Sequence, residues 1–366
     1  MHPLSRRAVL GAGAGWLAGC AGRPKPAVTL PASPLRRLAP VEVLRSRVIR
    51  SIAGLRPYRP EGFVVRAESV GPQVVVHNYG HGGAGITLSW GTAEMAVELA
   101  WATGERRFAV LGCGVCGLST ARLLQARGAT VTIYTKDIPP GTTSNVAGGL
   151  WSPVTLFEQT KAPPEFREQF VRACRASHRR FQLLVGDWYG VRWLPVYYLG
   201  TGGSRRQGIE DLFPDTRELT PEENPFPVQA RVLRTMLIEP STYLSRLLHE
   251  FQSAGGRLVL QEFRDVSELR ALEEPVVINC TGLGSREMFG DTSLLPVKGQ
   301  LIFLLPQPEV DYCFISPSAN LYMFPRRDGI LLGGTTERDV WTLEPDPAQE
   351  TRILEEHRAL FAGMKR

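Results

Sequence analysis

Cysteine, long apolar runs and massed charge are all scarce in this chain, and each scarcity closes off a class of protein. Six cysteines occur in 366 residues, and setting Cys20 aside leaves an odd five with no pairing of pairs, which argues against a disulfide framework or a zinc cluster. Cys113 and Cys116 do form a CxxC, but they are embedded among glycines and read as small fillers of a tight turn, not as a redox or metal pair. The apolar run from Ala8 to Gly19 is too short to span a bilayer, which needs about 20 residues. The formal net charge of +6 comes from scattered arginines, without a basic tail or aromatic–basic interleaving, so a mild attraction for anions remains and no nucleic-acid signature. There is no internal repeat and no low-complexity domain. What is left, with 43% apolar and 21% charged residues, is a globular chain able to bury one large core or two moderate ones.

The first residues, MHPLSRRAVLGAGAGWLAGC, stand apart from that body. SRRAVL, with Arg6 and Arg7, resembles a twin-arginine export signal, and LAGC ending at Cys20 resembles a bacterial lipobox. The expectation is export to the periplasm and attachment to the membrane through a lipid on Cys20, with residues 1–20 as signal. Residues 21–40 are proline-punctuated and lack an apolar period, as in an extended linker.

From there the pattern alternates. VVRAESVGPQVVVHNYG (64–80) predicts two short strands broken at Gly-Pro, and the apolar spacing from Ile86 to Trp101 predicts a helix. RRFAVLGCG predicts a buried strand running into glycines, followed by a helix from Leu118 to Arg127 that stops at Gly128 and a strand over 129–135. Gly112, Gly114 and Gly117 therefore have GxGxxG spacing between a strand and a helix. The first permits the turn, the second lets backbone approach a pyrophosphate, and the third lets helix and strand pack closely. An acid is expected at the end of the next strand, IYTKD, to hold a ribose 2′-OH. Asp137 is in place for it, and Lys136 beside it is suited to a phosphate instead. Further along, EFREQFVRACRASHRRFQLLVG reads as a helix, VRWLPVYYL as a strand, and PSTYLSRLLHEFQSAGGRLVLQEF as helix, glycine stop and strand. PVVINCTGLG reads as a buried strand and turn. KGQLIFLL, NLYMFP and GILLGGT make a late β-rich set before a terminal helix. The fold class is α/β, a Rossmann-like nucleotide-binding layer with an inserted β-rich substrate domain.

The motifs together resemble the D-amino-acid oxidase family, FAD enzymes that include D-aspartate oxidase. VLGCGVCGLSTARLL and IYTKDIPPGTTSNVAGGLWSPV are similar to the family's flavin-binding start. VINCTGLGSR and VKGQ resemble its centre, YMFPRRDGILLGGT its substrate-side sheet, and GLRPYRP with HNYGHGGAGITLSWG its closing segment. The resemblance covers nearly everything after residue 40, and HNYGHGG with RPxRP is its most specific part. In the family those two motifs come last, whereas here they come first. Moving residues 41–104 behind Arg366 restores the family order, so a circular permutation is expected. The domain reading is then 41–104 as the permuted closing segment, 105–160 as the dinucleotide-binding βαβ unit, 161–330 as a mixed substrate domain with FAD-domain strands, and 331–366 as closing strand and helix.

The resemblance implies FAD as cofactor and assigns the site residues. Gly112, Gly114, Gly117, Lys136, Asp137, Thr143, Ser144, Gly148, Gly149 and Leu150 fall in its flavin-binding stretches, and Gly82, Gly83, Ile86 and Thr87 in the stretch that runs along the flavin. Arg56 matches the arginine that grips the substrate carboxylate with parallel hydrogen bonds, and Tyr322 a tyrosine whose hydroxyl joins it. A second family tyrosine falls on Ser318, a departure that bears on the pocket lid. His77 and His81 read as packing or turn groups, not as a metal pair. The implied reaction is hydride transfer from Cα of a D-amino acid to flavin N5, giving 2-oxo acid, ammonia and, with dioxygen as acceptor, hydrogen peroxide. Two other readings are D-aspartate oxidation, with Arg326 and Arg327 as candidates for the extra carboxylate, and a lipid-anchored flavin-binding protein without turnover.

Overall fold

A computed structural model of the chain describes residues 37–201 and 208–365. The export-signal and lipobox readings, and all but the end of the 21–40 linker, lie outside the described residues. In chain order, β1 (Val48–Tyr58), β2 (Val64–Val70) and β3 (Gln73–Tyr79) precede α1 (Gly85–Trp101). Then come β4 (Arg107–Leu111), α2 (Val115–Ala126), β5 (Thr130–Thr135), the single turn α3 (Thr143–Val146) and α4 (Phe166–Leu183). The middle holds β6 (Val191–Leu199), β7 (Arg217–Glu218), β8 (Ala230–Ile238), α5 (Pro240–Ser253), β9 (Arg257–Leu260), β10 (Val276–Asn279) and α6 (Ser285–Met288). β11 (Leu295–Leu304), β12 (Cys313–Ser316), β13 (Leu321–Arg326), β14 (Gly329–Gly333), β15 (Glu337–Arg338) and α7 (Pro347–Ala362) complete it.

These elements form two sheets. The six-stranded one runs β2-β3-β10-β4-β5-β9, parallel except for the edge strand β2. Its central strands are continuous apolar runs, FAVL in β4 and VVI in β10, because helices or loops cover both faces and leave no side for water. Leu88 and Trp90 of α1 and Leu118 of α2 share a core with Val110 of β4, while Ala109 and Val277 pack with Leu269 and Met288 on the opposite face. α1 is apolar almost all round because it is enclosed, and its Trp90 indole donates to the Tyr243 hydroxyl of α5 at 2.6 Å.

The second sheet has nine strands, ordered β1-β11-β14-β13-β12-β6-β8-β7 with β15 on β11. Strand alternation divides its side chains: Phe314, Met323 and Leu332 face α7 and the Val41–Val43 segment, while Leu233, Cys313 and Leu301 face the core shared with the first sheet. α7 starts at Pro347 with Asp346 as N-cap, whose carboxylate accepts from the Ala348 amide at 2.8 Å. The 41–104 stretch is thus shared out. It gives β1 to the nine-stranded sheet, and β2, β3 and α1 to the parallel one.

Candidate active site

At the carboxyl end of β4 the chain turns sharply at Gly112, whose φ of +104° belongs to the region that side chains avoid and whose Cβ would come within 2.7 Å of the Cys280 carbonyl. A Cβ on Gly117 would run into the Gly112 carbonyl oxygen, so only glycine lets the first turn of α2 sit directly on the loop. Gly114 is the extended residue that opens α2, and the Ser144 hydroxyl accepts from the Val115 amide at 3.0 Å. Thr135 ties the next loop in, accepting from the Cys113 amide at 3.2 Å and donating to the Asp137 carbonyl at 2.7 Å. Ser144 therefore lies at the positive end of α2, where amide donors lack helical partners and an anion is stabilised. Thr143, its neighbour, is exposed. Lys136 is drawn outward to Glu262 at 3.6 Å, and Asp137 stands exposed just past the end of β5.

A second glycine-rich surface forms where Gly82–Ala84 leads into α1. The Gly83 amide donates to the Thr155 carbonyl at 3.0 Å, and the Thr87 hydroxyl bonds both the amide and the carbonyl of Ser152 at 3.2 Å. Ile86 is buried in the core beside them. The 148–155 strip that these groups hold is fixed from its other side by β8: Gly149 accepts from the Ile238 amide, Leu150 bridges Leu237, and the Trp151 amide donates to Met236. Gly148 is pressed against the Phe324 ring, where a Cβ would be 2.7 Å from Cε2. The two histidines of the HNYGHGG motif have separate partners. His77 bridges Glu68 (3.0 Å) and Asn279 (3.1 Å), whereas His81 meets Thr92 at 3.0 Å and the Cys116 thiol at 3.6 Å. Burial lowers the His81 pKa to about 3, so its ring is neutral. Among the described residues no three His, Cys, Asp or Glu side chains are grouped to hold a metal ion.

Arg56 and Tyr322, 266 residues apart in sequence, meet on the inner face of the nine-stranded sheet. The Arg56 guanidinium donates to the Tyr322 hydroxyl at 3.5 Å and to the Thr335 carbonyl at 3.3 Å. Register explains the meeting: β1 pairs with β11, and Gly54 opposite Gly299 leaves a gap over which the Arg56 guanidinium lies. A Cβ on Gly299 would occupy the guanidinium's place, and a Cβ on Gly333 or Gly334 that of the Tyr322 ring. Among the described residues Arg56 forms no ion pair, which leaves its charge for a ligand. Burial raises the Tyr322 pKa and Arg56 pulls it back, so the phenol keeps its proton. Its oxygen accepts from Arg56 while its O–H remains to donate, which makes the pair a two-sided clamp for a carboxylate. α7 holds the clamp from behind, through His357 against the Tyr322 carbonyl at 3.2 Å and Arg352 donating to the Gly334 carbonyl at 2.8 Å. The Gly83 edge of the second glycine-rich surface is adjacent, its Cβ position 3.6 Å from Arg56 Cδ.

Two candidates do not join this group. Arg326 is buried and taken up by Asp328 in a bidentate pair (2.8 and 2.7 Å) and by the Ala147 carbonyl at 2.9 Å, and Arg327 pairs with Asp187. Arg326 is thus occupied by groups of the protein itself, and Arg327 is an exposed turn residue in a surface ion pair. Ser318 lies in the exposed 317–320 turn, its hydroxyl 3.7 Å from where a Cβ on Gly200 would stand. Gly299, Thr335, Ser152 and Tyr198 were not singled out from sequence. Gly299, Thr335 and Ser152 lie inside quoted motifs, VKGQ, GILLGGT and GLWSPV, whereas Tyr198 stands in a strand without one.

A strand–glycine turn–helix unit and a half-buried arginine–tyrosine pair on a large mixed sheet are the features that comparison with known proteins can place. The family model for FAD dependent oxidoreductases (DAO) matches residues 3–99 and 107–366. A D-amino-acid oxidase of Streptomyces coelicolor is 33% identical over 256 residues, covering 69% of this chain and 76% of that protein. Human D-aspartate oxidase is 30% identical over 262 residues, covering 68% and 74%. The glycine oxidase structure from Bacillus cereus superposes with a TM-score of 0.54 at 18% identity, over 72% of this chain and 81% of that one, and shares the fold. The chain belongs to the FAD dependent oxidoreductase (DAO) family, and FAD is its cofactor. The turn at Gly112 and Gly117, where a Cβ would meet the backbone carbonyl oxygens of Cys280 and Gly112, fits that assignment.

Proposed function

We propose that the chain is a D-amino-acid oxidase, converting a D-amino acid, water and dioxygen into a 2-oxo acid, ammonia and hydrogen peroxide. The observation that carries this reading is the convergence of Arg56 and Tyr322 beside Gly83. FAD, when bound, supplies the hydride acceptor. The chain's part is orientation: Arg56 and Tyr322 fix the α-carboxylate at two points, so the Cα–H bond has one direction in which to lie. The clamp's backing by Gly299 and α7 keeps that direction constant. The α1 N-terminus next to the glycine surface adds a positive field that favours negative charge developing there. The oxidase names of the relatives at 30–33% identity support the substrate class.

Pyrophosphate binding by Gly112–Gly117 and Ser144, ribose binding by Asp137, and flavin contact by Gly82, Gly83 and Thr87 are part of the same proposal. So is the permuted order. Support for it comes from the chain ends: the Tyr312 hydroxyl reaches both the Ala39 carbonyl (2.8 Å) and the Met364 sulfur (3.9 Å), so the end of α7 lies beside the start of the 41–104 segment. Arg358 also donates to the Val43 carbonyl at 3.1 Å. The family model parts between residues 99 and 107, next to the inferred junction. Export and lipidation at Cys20 rest on the SRRAVL and LAGC motifs, and mass spectrometry of the mature N-terminus tests them.

The test of function is anaerobic titration of the flavin absorbance with D-Ala, D-Asp and L-Ala. Bleaching by a D-isomer and not by L-Ala is expected. A yellow protein that no amino acid bleaches makes it a flavin-binding protein without this turnover.

A further inference from the structure

The most exposed leucine and the most exposed tryptophan among the described residues stand in one short turn between α4 and β6. Leu183 closes α4, Val185 follows it, and Trp188 forms the tip; they are 74%, 46% and 62% exposed. The turn is firmly held. Gly186 and Val191 exchange two backbone hydrogen bonds, at 2.8 and 3.2 Å, and the Tyr189 hydroxyl donates to Glu250 of α5 at 2.6 Å. An apolar tip kept in water on a fixed support is a surface that gains free energy when something covers it.

Positive charge surrounds this tip. The Arg246 guanidinium lies over the Trp188 ring, 3.4 Å from the centroid, and that of Arg180 over Trp90 at 4.6 Å. Arg179 stands one helical turn before Leu183 and on the same side of α4. Among the described residues Arg179, Arg180 and Arg246 form no ion pair. Of the nearby acids, Glu250 is met by Arg122 and Asp187 by Arg327, and Glu94 shares the groove beside Arg179 and Arg180. The corner keeps a surplus of positive charge. Trp341 and Leu343, 49% and 58% exposed, have the opposite setting: Asp339, Glu344 and Asp346 flank them, and the Trp341 indole donates to Asp339 at 3.2 Å. An anionic surface attracts the first pair of apolar residues and repels the second.

Area separates a lipid surface from a protein partner. At their exposures the three side chains of the turn offer about 350 Å², less than half of the roughly 800 Å² that each partner buries in a standard protein interface. A headgroup layer takes a small wedge without needing a matching face. Tryptophan suits that depth, since its ring is apolar and its N–H polar, and arginines beside it reach the phosphates.

We propose that the 183–188 turn docks the protein shallowly on an anionic phospholipid surface. Leu183, Val185 and Trp188 enter the headgroup–acyl boundary, and Arg179, Arg180 and Arg246 meet the phosphates. A lipid on Cys20, part of the proposal above, keeps the chain near such a surface, and the turn adds an orientation on it. The argument for the turn uses neither that lipid nor the oxidase reading.

The test takes the flavin-loaded chain from residue 20 onward, which holds every described element, with Cys20→Ser so that no lipid is attached. It is sedimented with vesicles of phosphatidylcholine alone or of phosphatidylcholine and phosphatidylglycerol in equal parts. The expected partition onto the mixed vesicles is at least about tenfold stronger than onto phosphatidylcholine. Trp188→Ser lowers it about tenfold. Arg179→Ser with Arg246→Ser lowers it about 25-fold, roughly fivefold for each charge. Trp341→Ser leaves it unchanged, and Tm with flavin content shows that each variant is folded. Should Trp188→Ser lower Tm, Leu183→Ser and the arginine pair decide by the same comparison. A wild type without preference for the mixed vesicles overturns the proposal. So does a partition within twofold of wild type in the turn variants, or an equal fall in Trp341→Ser. A dimer in sedimentation equilibrium that Trp188→Ser dissolves assigns the turn to a second copy of the chain and overturns it as well.

Discussion

Replacing Arg56 by Met separates the carboxylate clamp from the rest of the molecule. The side chain is half-buried, lies over Gly299, and is held by two long hydrogen bonds, 3.3 Å to the Thr335 carbonyl and 3.5 Å to the Tyr322 hydroxyl. Bonds of that length contribute little, and methionine refills much of the apolar stem, so stability is expected to change by no more than about 1 kcal/mol. Substrate binding is a different matter. A guanidinium gripping a carboxylate makes two charge-assisted hydrogen bonds worth about 1.5–3 kcal/mol each, and Tyr322 remains to keep part of the hold. A net loss of roughly 3–4 kcal/mol lowers kcat/KM by about 10²- to 10³-fold. Tyr322 does not take over as an anion, since its pKa is already raised by burial and Arg56 is what lowers it. The assay is stopped-flow flavin reduction across a D-alanine series, with flavin content and Tm measured on the same samples. Arg56→Lys restores a point charge without the fork and is expected to fall between the two. A fully flavinated Arg56→Met enzyme whose kcat/KM stays within threefold of wild type refutes the clamp.

Gly299→Ala reaches the same clamp from beneath, because the new methyl takes the space of the Arg56 guanidinium. A 10- to 100-fold rise in KM with flavin content unchanged is expected, and steady-state kinetics decide it. Gly117→Ala drives a methyl into the Gly112 carbonyl and is expected to weaken FAD at least tenfold, read as flavin per protein after dialysis; full retention contradicts the cradle assignment. Burial lowers the pKa of His81 to about 3 and of His357 to about 4, so both stay neutral when folded while the unfolded chain takes up their protons below about pH 6.5. The unfolded state then binds more protons, and stability present above that pH is lost as pH falls toward the folded values. The loss is about 1.4 kcal/mol for each by pH 5.5, roughly 3 kcal/mol together. Urea midpoints at pH 7.5 and 5.5 measure it, and equal midpoints contradict it.

Much of this molecule is written locally. The GCGVCG turn, the strand before it and the helix after it follow from glycine geometry and apolar runs of about five residues, information that neighbours in sequence contain. α1 was legible from Ile86 onward, and the break between β2 and β3 falls at Gly71-Pro72, as the residue types require. Arg56 and Tyr322 were legible too, through motifs that resemble a family, but each as a separate residue. What joined them was strand register. β1 against β11 and β6 against β12 are pairings between segments far apart in the chain, and a shift of one residue turns every side chain to the other face. The folded chain also placed Asp328 against Arg326 and Asp187 against Arg327, pairings that the motif around Tyr322 did not reveal. Residue identity and local spacing determine which groups this protein has to offer. Which of them share a face, and which charges are left unpaired there, depends on hydrogen-bonded pairing over long separations, and only the folded sheet decides that.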